Sequence, residues 1–319
     1  MTARMRLGLV FGFCIGAGVA VQARINGALG MRLHDGIAAA TVSFGTGLVV
    51  LAAAFAASGR LRAGLAAVRR ALGEGQLRGW QLLGGLFGAF FVASQGLTVA
   101  AIGVTAFTVA AVAGQLLSSL AVDRAGLAPS GRTPVTPRRA GGAVLAIGAV
   151  VLATSTRTDA GQAGLALPES VREVPHPVLI ALPALAGIGL AWQQAVNGRV
   201  GAVGGAGSAA LVNFAVGFAV LLGVEFVVVL TLRGLGAFPT EPWLYLGGVI
   251  GVAFIALAAL TVRWIGVLLL GLTSVAGQLV ASVALDTLVP AGPGLSPWSL
   301  LGCLLTLVAI ALATGPNRA

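Results

Sequence analysis

Long apolar stretches alternate with short polar ones from one end of the chain to the other. The apolar runs are mostly 17–24 residues long, a length suited to a bilayer core about 30 Å thick at about 1.5 Å rise per residue. They predict ten spanning helices, at 7–26, 36–58, 79–98, 103–122, 139–155, 177–196, 208–231, 243–261, 265–285 and 298–314. The hydrophilic stretches 59–78, 123–138 and 156–176 are rich in Arg, Gly or Pro and read as loops.

The pattern also repeats itself. Residues 80–123 align without a gap to 243–286, and nearly half of the positions are identical. Trp80/Trp243, Gly84/Gly247, Gly88/Gly251, Thr98/Thr261, Gly103/Gly266, the run AGQL at 113–116 and 276–279, Ser119/Ser282 and Asp123/Asp286 all fall in register. The first helix repeats as well: GAGVAVQARING at 16–27 matches GIGLAWQQAVNG at 187–198, keeping Gln22/Gln193 and Asn26/Asn197. In the second helix Phe44 matches Phe214 and Gly47 matches Gly217. The chain therefore divides into a first repeat at 1–158, a linker loop at 159–176 and a second repeat at 177–319. With five predicted helices in each, the second repeat is expected to enter the membrane from the opposite side, the construction that gives many secondary transporters two related states.

Composition narrows the class. Mean hydropathy is +1.01 and only 9% of residues are charged, far from the quarter typical of soluble domains. All 19 basic residues are Arg and the net charge is +10. The arginines lie between apolar runs and form no basic face of the kind nucleic acid requires. Counted by side on the ten-helix reading, fourteen fall on the side of the N-terminus and five opposite, which predicts cytoplasmic N- and C-termini. Arg4 and Arg6 before an apolar run resemble a signal peptide, but the segment recurs internally as an equivalent helix, so cleavage is not expected. Cys14 and Cys303 are the sole cysteines and exclude a disulfide framework or a thiolate zinc site. No phosphate-cradling GxxxxGKS/T loop is present, so the chain is not itself an ATP-driven pump. No convergent catalytic constellation is found either, and neither enzymatic activity nor a cofactor is expected.

Polar groups within apolar runs are the candidate site, because hydrocarbon disfavours them unless they are paired. Gln22 and Asn26 share one helix face, and Gln193 and Asn197 repeat that stripe. Gln115, Ser119 and Asp123 lie at i, i+4 and i+8, and Gln278, Ser282 and Asp286 repeat them. The amides and serines are cavity candidates for a solute; the plain alternative is that they tie helices together. Asp123, Asp286 and Glu225, the last the one carboxylate well inside an apolar run (LLGVEFVVVL), are candidates for gating or proton coupling, against simple helix-end contacts. Trp80 and Trp243 read as interfacial anchors.

The GxxxQxxxN stripe opening each half and the AGQ–Ser–Asp helix resemble the YdcZ-type branch of the drug/metabolite transporter superfamily. The resemblance covers nearly the whole chain as two tandem copies. It implies an all-α, EamA-like 5+5 membrane fold and export or exchange of a small metabolite or drug across a bacterial inner membrane, as a monomer or homodimer in contact with lipid, with proton coupling open. The competing expectation is a channel-like or non-transporting membrane protein.

Overall fold

The computed structural model describes residues 3–127, 131–132, 134–154, 175–231, 237–289 and 295–314, all helical or connecting. In chain order the helices are α1 (Ala3–Leu33), α2 (Gly36–Ala57), α3 (Gly59–Gly73), α4 (Gly84–Ala125), α5 (Pro137–Thr154), α6 (His176–Thr231), α7 (Gly247–Leu288) and α8 (Pro297–Thr314). Short 3-10 turns at Gly79–Leu82 and Pro242–Tyr245 precede α4 and α7.

This corrects the expectation of ten separate spans arranged five and five. Predicted helices 79–98 and 103–122 run together in α4, 177–196 and 208–231 in α6, and 243–261 and 265–285 in α7. Among the described residues, five helical segments are long and apolar enough to cross a membrane: Ala3–Leu33, Gly36–Ala57, Gly79–Ala125, Pro177–Val227 and Leu270–Leu288. The physical reason lies in single glycines. Gly103 (φ 78°, ψ 163°) and Gly205 (φ 79°, ψ 167°) are the non-helical residues inside α4 and α6, in a region that L side chains avoid. One such residue turns the backbone without inserting a loop. Both runs double back there. Phe91 and Phe107 stack edge-on at 5.6 Å between centroids, although sixteen residues of straight helix would hold them about 24 Å apart.

A second correction concerns 59–78, expected as loop. Residues Gly59–Gly73 form α3, with Leu61, Leu65, Val68 and Leu72 on one face and Arg60, Arg62, Arg69 and Arg70 exposed. Ser58 caps it by accepting from the Leu61 N–H. Arg62 reaches back to the Phe55 and Ala56 carbonyls at 2.8 and 2.6 Å, satisfying the last turn of α2. The apolar face of α3 packs beside Val200 and Ala209, on either side of Gly205. The predicted linker at 159–176 lies almost wholly outside the described residues.

Glycines set the packing between the two repeats. A Cβ on Gly16 would sit 1.7 Å from the Ser274 carbonyl oxygen, and one on Gly187 would sit 1.9 Å from that of Ala111. One on Gly277 would meet the Phe13 carbonyl at 2.0 Å, and one on Gly114 would meet that of Ala184 at 1.9 Å. Position for position, these are the same contacts made twice: α1 lies on α7 as the first part of α6 lies on α4. Gly16→Ala is therefore expected to cost about 2 kcal/mol or more, because backbone must move to admit the methyl group. Gly73→Ala, which meets nothing within 4 Å, should leave stability unchanged or raise it slightly. Thermal unfolding of purified protein in detergent measures both.

Candidate functional site

The amide stripes lie at these glycine contacts. Gln22 donates through Nε2 to the Gly247 carbonyl at 2.9 Å, and Asn26 donates through Nδ2 to Gln95 Oε1 at 2.7 Å. Asn26 and Gln22 lie over Gly247 and Gly251, where a Cβ would strike Asn26 Oδ1 at 2.5 Å and Gln22 Nε2 at 3.0 Å. The second stripe mirrors this. Asn197 and Gln193 lie over Gly84 and Gly88, with the corresponding distances 2.4 and 2.5 Å. Both donate to Asn213 Oδ1, Gln193 at 2.7 Å and Asn197 at 2.9 Å. Asn213 is twenty residues beyond Gln193 on α6, so this bond also requires the reversal at Gly205. Each repeat thus inserts its amides into glycine gaps of the other.

Three participants escaped the sequence reading. Gln95 and Asn213 are buried partners of the stripes. Ser43 Oγ, with Asn26, crowds Gly247. Ser43 and Asn213 immediately precede Phe44 and Phe214, whose match was visible, so they are equivalent polar positions one residue from a recognised pair. Phe44 and Phe214 themselves meet at 5.0 Å between ring centroids. Gln95 falls opposite Ala258 in the repeat and has no polar counterpart to flag it.

The second set of candidates is dispersed. Gln115 donates to Gln194 Oε1 at 3.1 Å near the surface. Ser119 and Ser282 donate to the carbonyls of Leu116 and Leu279 in their own helices, at 2.7 and 2.8 Å. Gln278 is half-buried, with its backbone N–H against Gly16. The aspartates differ from one another despite their equivalence in sequence. Asp123, about a quarter exposed in the last turn of α4, pairs with Arg139 of α5. Asp286 is 3% exposed. It accepts from the Val104 N–H at 3.0 Å and the Thr105 N–H at 2.7 Å. Those amides begin the helix after the Gly103 reversal, where no carbonyl one turn earlier serves them. Asp286 is therefore an N-cap supplied by the other repeat. Arg24 of α1 lies within electrostatic reach of Asp286 and donates through Nε to the Val289 carbonyl at 3.2 Å.

Glu225 is buried, and its Oε2 has no hydrogen-bond partner among the described residues. The same holds for Asn26 Oδ1, Gln95 Nε2, Gln193 Oε1 and Thr105 Oγ1. Several of these atoms lie at the seam between the repeats, where a buried polar group without a partner is costly. Among the described residues, no group of three or more His, Cys, Asp or Glu is placed to hold a metal ion.

A protein-family profile described as "Putative inner membrane exporter, YdcZ", of the DMT group, matches residues 7–152 and again 178–312. The chain belongs to this YdcZ family. It is a membrane-embedded member of the drug/metabolite transporter superfamily, with the family pattern present in tandem. No curated protein sequence matches it. A solved chain described as "Crystal structure of protein" is similar at 19% identity and a TM-score of 0.53, covering 98% of this chain and 97% of that one; at that identity the likeness concerns fold.

Two outcomes follow for this member of the family. Asp286→Ala leaves two backbone N–H groups buried without an acceptor and is expected to lower stability by about 2–4 kcal/mol, whereas Asp123→Ala, which loses a partly exposed pair, should cost about 1 kcal/mol or less. Asn213→Ala removes the acceptor of two bonds across the Gly205 reversal, each worth about 0.6–1.7 kcal/mol in a membrane bundle. Detergent-solubilised thermal or denaturant unfolding ranks the three variants.

Proposed function

We propose that the protein is a secondary transporter that exports or exchanges a small polar metabolite or drug-like solute by alternating access. The single observation behind this reading is the mirrored seam: Gln22 and Asn26 in the glycine gap at Gly247 and Gly251, Gln193 and Asn197 in the gap at Gly84 and Gly88. A seam made of two equivalent contacts can loosen at one while the other holds, which provides two states of similar energy. The solute binds neutral amide groups there, Gln22, Asn26, Gln193 and Asn197, with Gln115, Ser119, Gln278 and Ser282 farther along its path. The membership in an exporter-described family accords with this reading.

In this reading the functional halves are 1–158 and 177–319, joined by 159–176, with both termini cytoplasmic. Asp286 gates by holding the helix that starts at Val104, and Asp123 does so through Arg139. Glu225, buried with a carboxyl oxygen that has no hydrogen-bond partner among the described residues, carries the proton if transport is proton-linked.

A ligand-stabilisation screen of small polar metabolites and drugs identifies the solute, because specific binding raises apparent stability. Its flux into proteoliposomes then tests the seam. Gln22→Ala and Gln193→Ala are each expected to weaken the stabilisation about tenfold in concentration, equivalent to ~1.4 kcal/mol, and to slow flux. Unchanged binding and flux in both variants would exclude the seam as the solute site. Glu225→Gln should abolish acceleration by a pH gradient while leaving solute binding intact.

A further inference from the structure

A cavity of about 370 Å³, distinct from the amide stripes themselves, is lined by Gln76, Arg78, Trp80, Gln81, Leu127 and Arg199. Three parts of the fold build it: the connection after α3 with the 3-10 turn Gly79–Leu82, Leu127 two residues beyond α4, and α6. Its walls carry two guanidinium groups and no carboxylate. The nearby Glu74 is exposed and accepts from Gln76 Nε2 at 2.9 Å. Arg199 is held by bonds from Nε to the Leu127 carbonyl at 2.6 Å and from Nη2 to the Gly126 carbonyl at 2.8 Å. Two of its five donors are thereby used, and three have no partner among the described residues. The Arg78 guanidinium has no ion-pair partner among the described residues. Arg69 and Arg70, exposed on α3, stand close by in the chain.

The level of the cavity is set by the apolar span that begins at Gly79. Trp80 at that edge is 41% exposed, as an indole at the headgroup boundary is. Leu83, Leu86 and Phe90 are also exposed and continue from Trp80 along one side of α4. A cationic cup therefore sits directly at the head of an apolar stripe. A free anion would use the cup alone; a phospholipid uses both.

We propose that this cavity binds the phosphodiester headgroup of an anionic phospholipid, with Arg78 and Arg199 on the phosphate and the stripe Trp80, Leu83, Leu86 and Phe90 along an acyl chain. Paired arginines suit phosphate oxygens through their fixed fork of donors. Bound there, the lipid bridges the α3 connection, the end of α4 and the part of α6 that leads to Gly205. The inference does not depend on what the seam transports.

The test uses the full chain in a neutral detergent. Phosphatidylglycerol is expected to raise the thermal midpoint, while phosphatidylcholine and glycerol 3-phosphate at the same concentration do not. Arg78→Gln should keep the lipid-free midpoint and weaken the phosphatidylglycerol effect about fivefold, the factor for one basic contact at an anionic surface. Arg60→Gln, at an exposed arginine that does not line the cavity, should keep the full effect. Equal shifts with both lipids, an equal shift with glycerol 3-phosphate, or equal losses in the two variants would overturn the proposal. Should Arg78→Gln fail to fold, native mass spectrometry of the wild-type protein decides: retention of phosphatidylglycerol over an equimolar phosphatidylcholine competitor supports the site, and no preference removes it.

Discussion

Hydrocarbon offers no hydrophobic reward for bringing two helices together, since lipid tails are as apolar as leucine. The contact between the repeats must arise from close packing and from polar groups with no alternative partner. Glycine supplies the first: backbone of one repeat touches backbone of the other at Gly16, Gly114, Gly187 and Gly277. The amides supply the second, and the same glycine gaps admit them. The seam is thus one device used twice, and every polar contact described at it depends on the absence of side chains at Gly84, Gly88, Gly247 and Gly251.

The backbone must meet its own hydrogen-bond requirements in the same medium. A reversal inside an apolar helix exposes amide groups that water cannot reach. At Gly103 the molecule resolves this with a carboxylate from the far repeat, Asp286. A charge in that position is disfavoured by its surroundings, but two backbone donors and the proximity of Arg24 offset the cost. Asp123, its equivalent in sequence, instead meets Arg139 at a partly exposed surface. The duplication is close in contacts and unequal in electrostatics.

Much of this was legible in the sequence because repetition marks equivalent positions without any structure. Gln22 with Gln193, Asn26 with Asn197, and Gly84 with Gly247 were paired by register alone, and the structure brings each pair to equivalent places. What remained hidden had definable causes. A single glycine with positive φ leaves the same apolar signature as a short loop, so α4 and α6 were divided where their backbone only turns. The arginines of α3 masked an amphipathic helix whose apolar face finds α6. Asn213 and Ser43 fall one position from a matched phenylalanine, but their side chains differ, so register alone does not mark them, although both stand at the amide stripes.

The exchange of contacts across the seam has a consequence for how the chain is made. The glycine gap at Gly247 and Gly251 that receives Gln22 and Asn26 is synthesised more than two hundred residues after them. Until it emerges, Gln22 lacks its carbonyl partner in the membrane, Asn26 has only Gln95 of its own repeat, and the gap at Gly84 and Gly88 stands open. Neither repeat completes its own interior. The first half must therefore be inserted and held, by the translocation machinery or by transient pairing, until the second half arrives to close both gaps in one step.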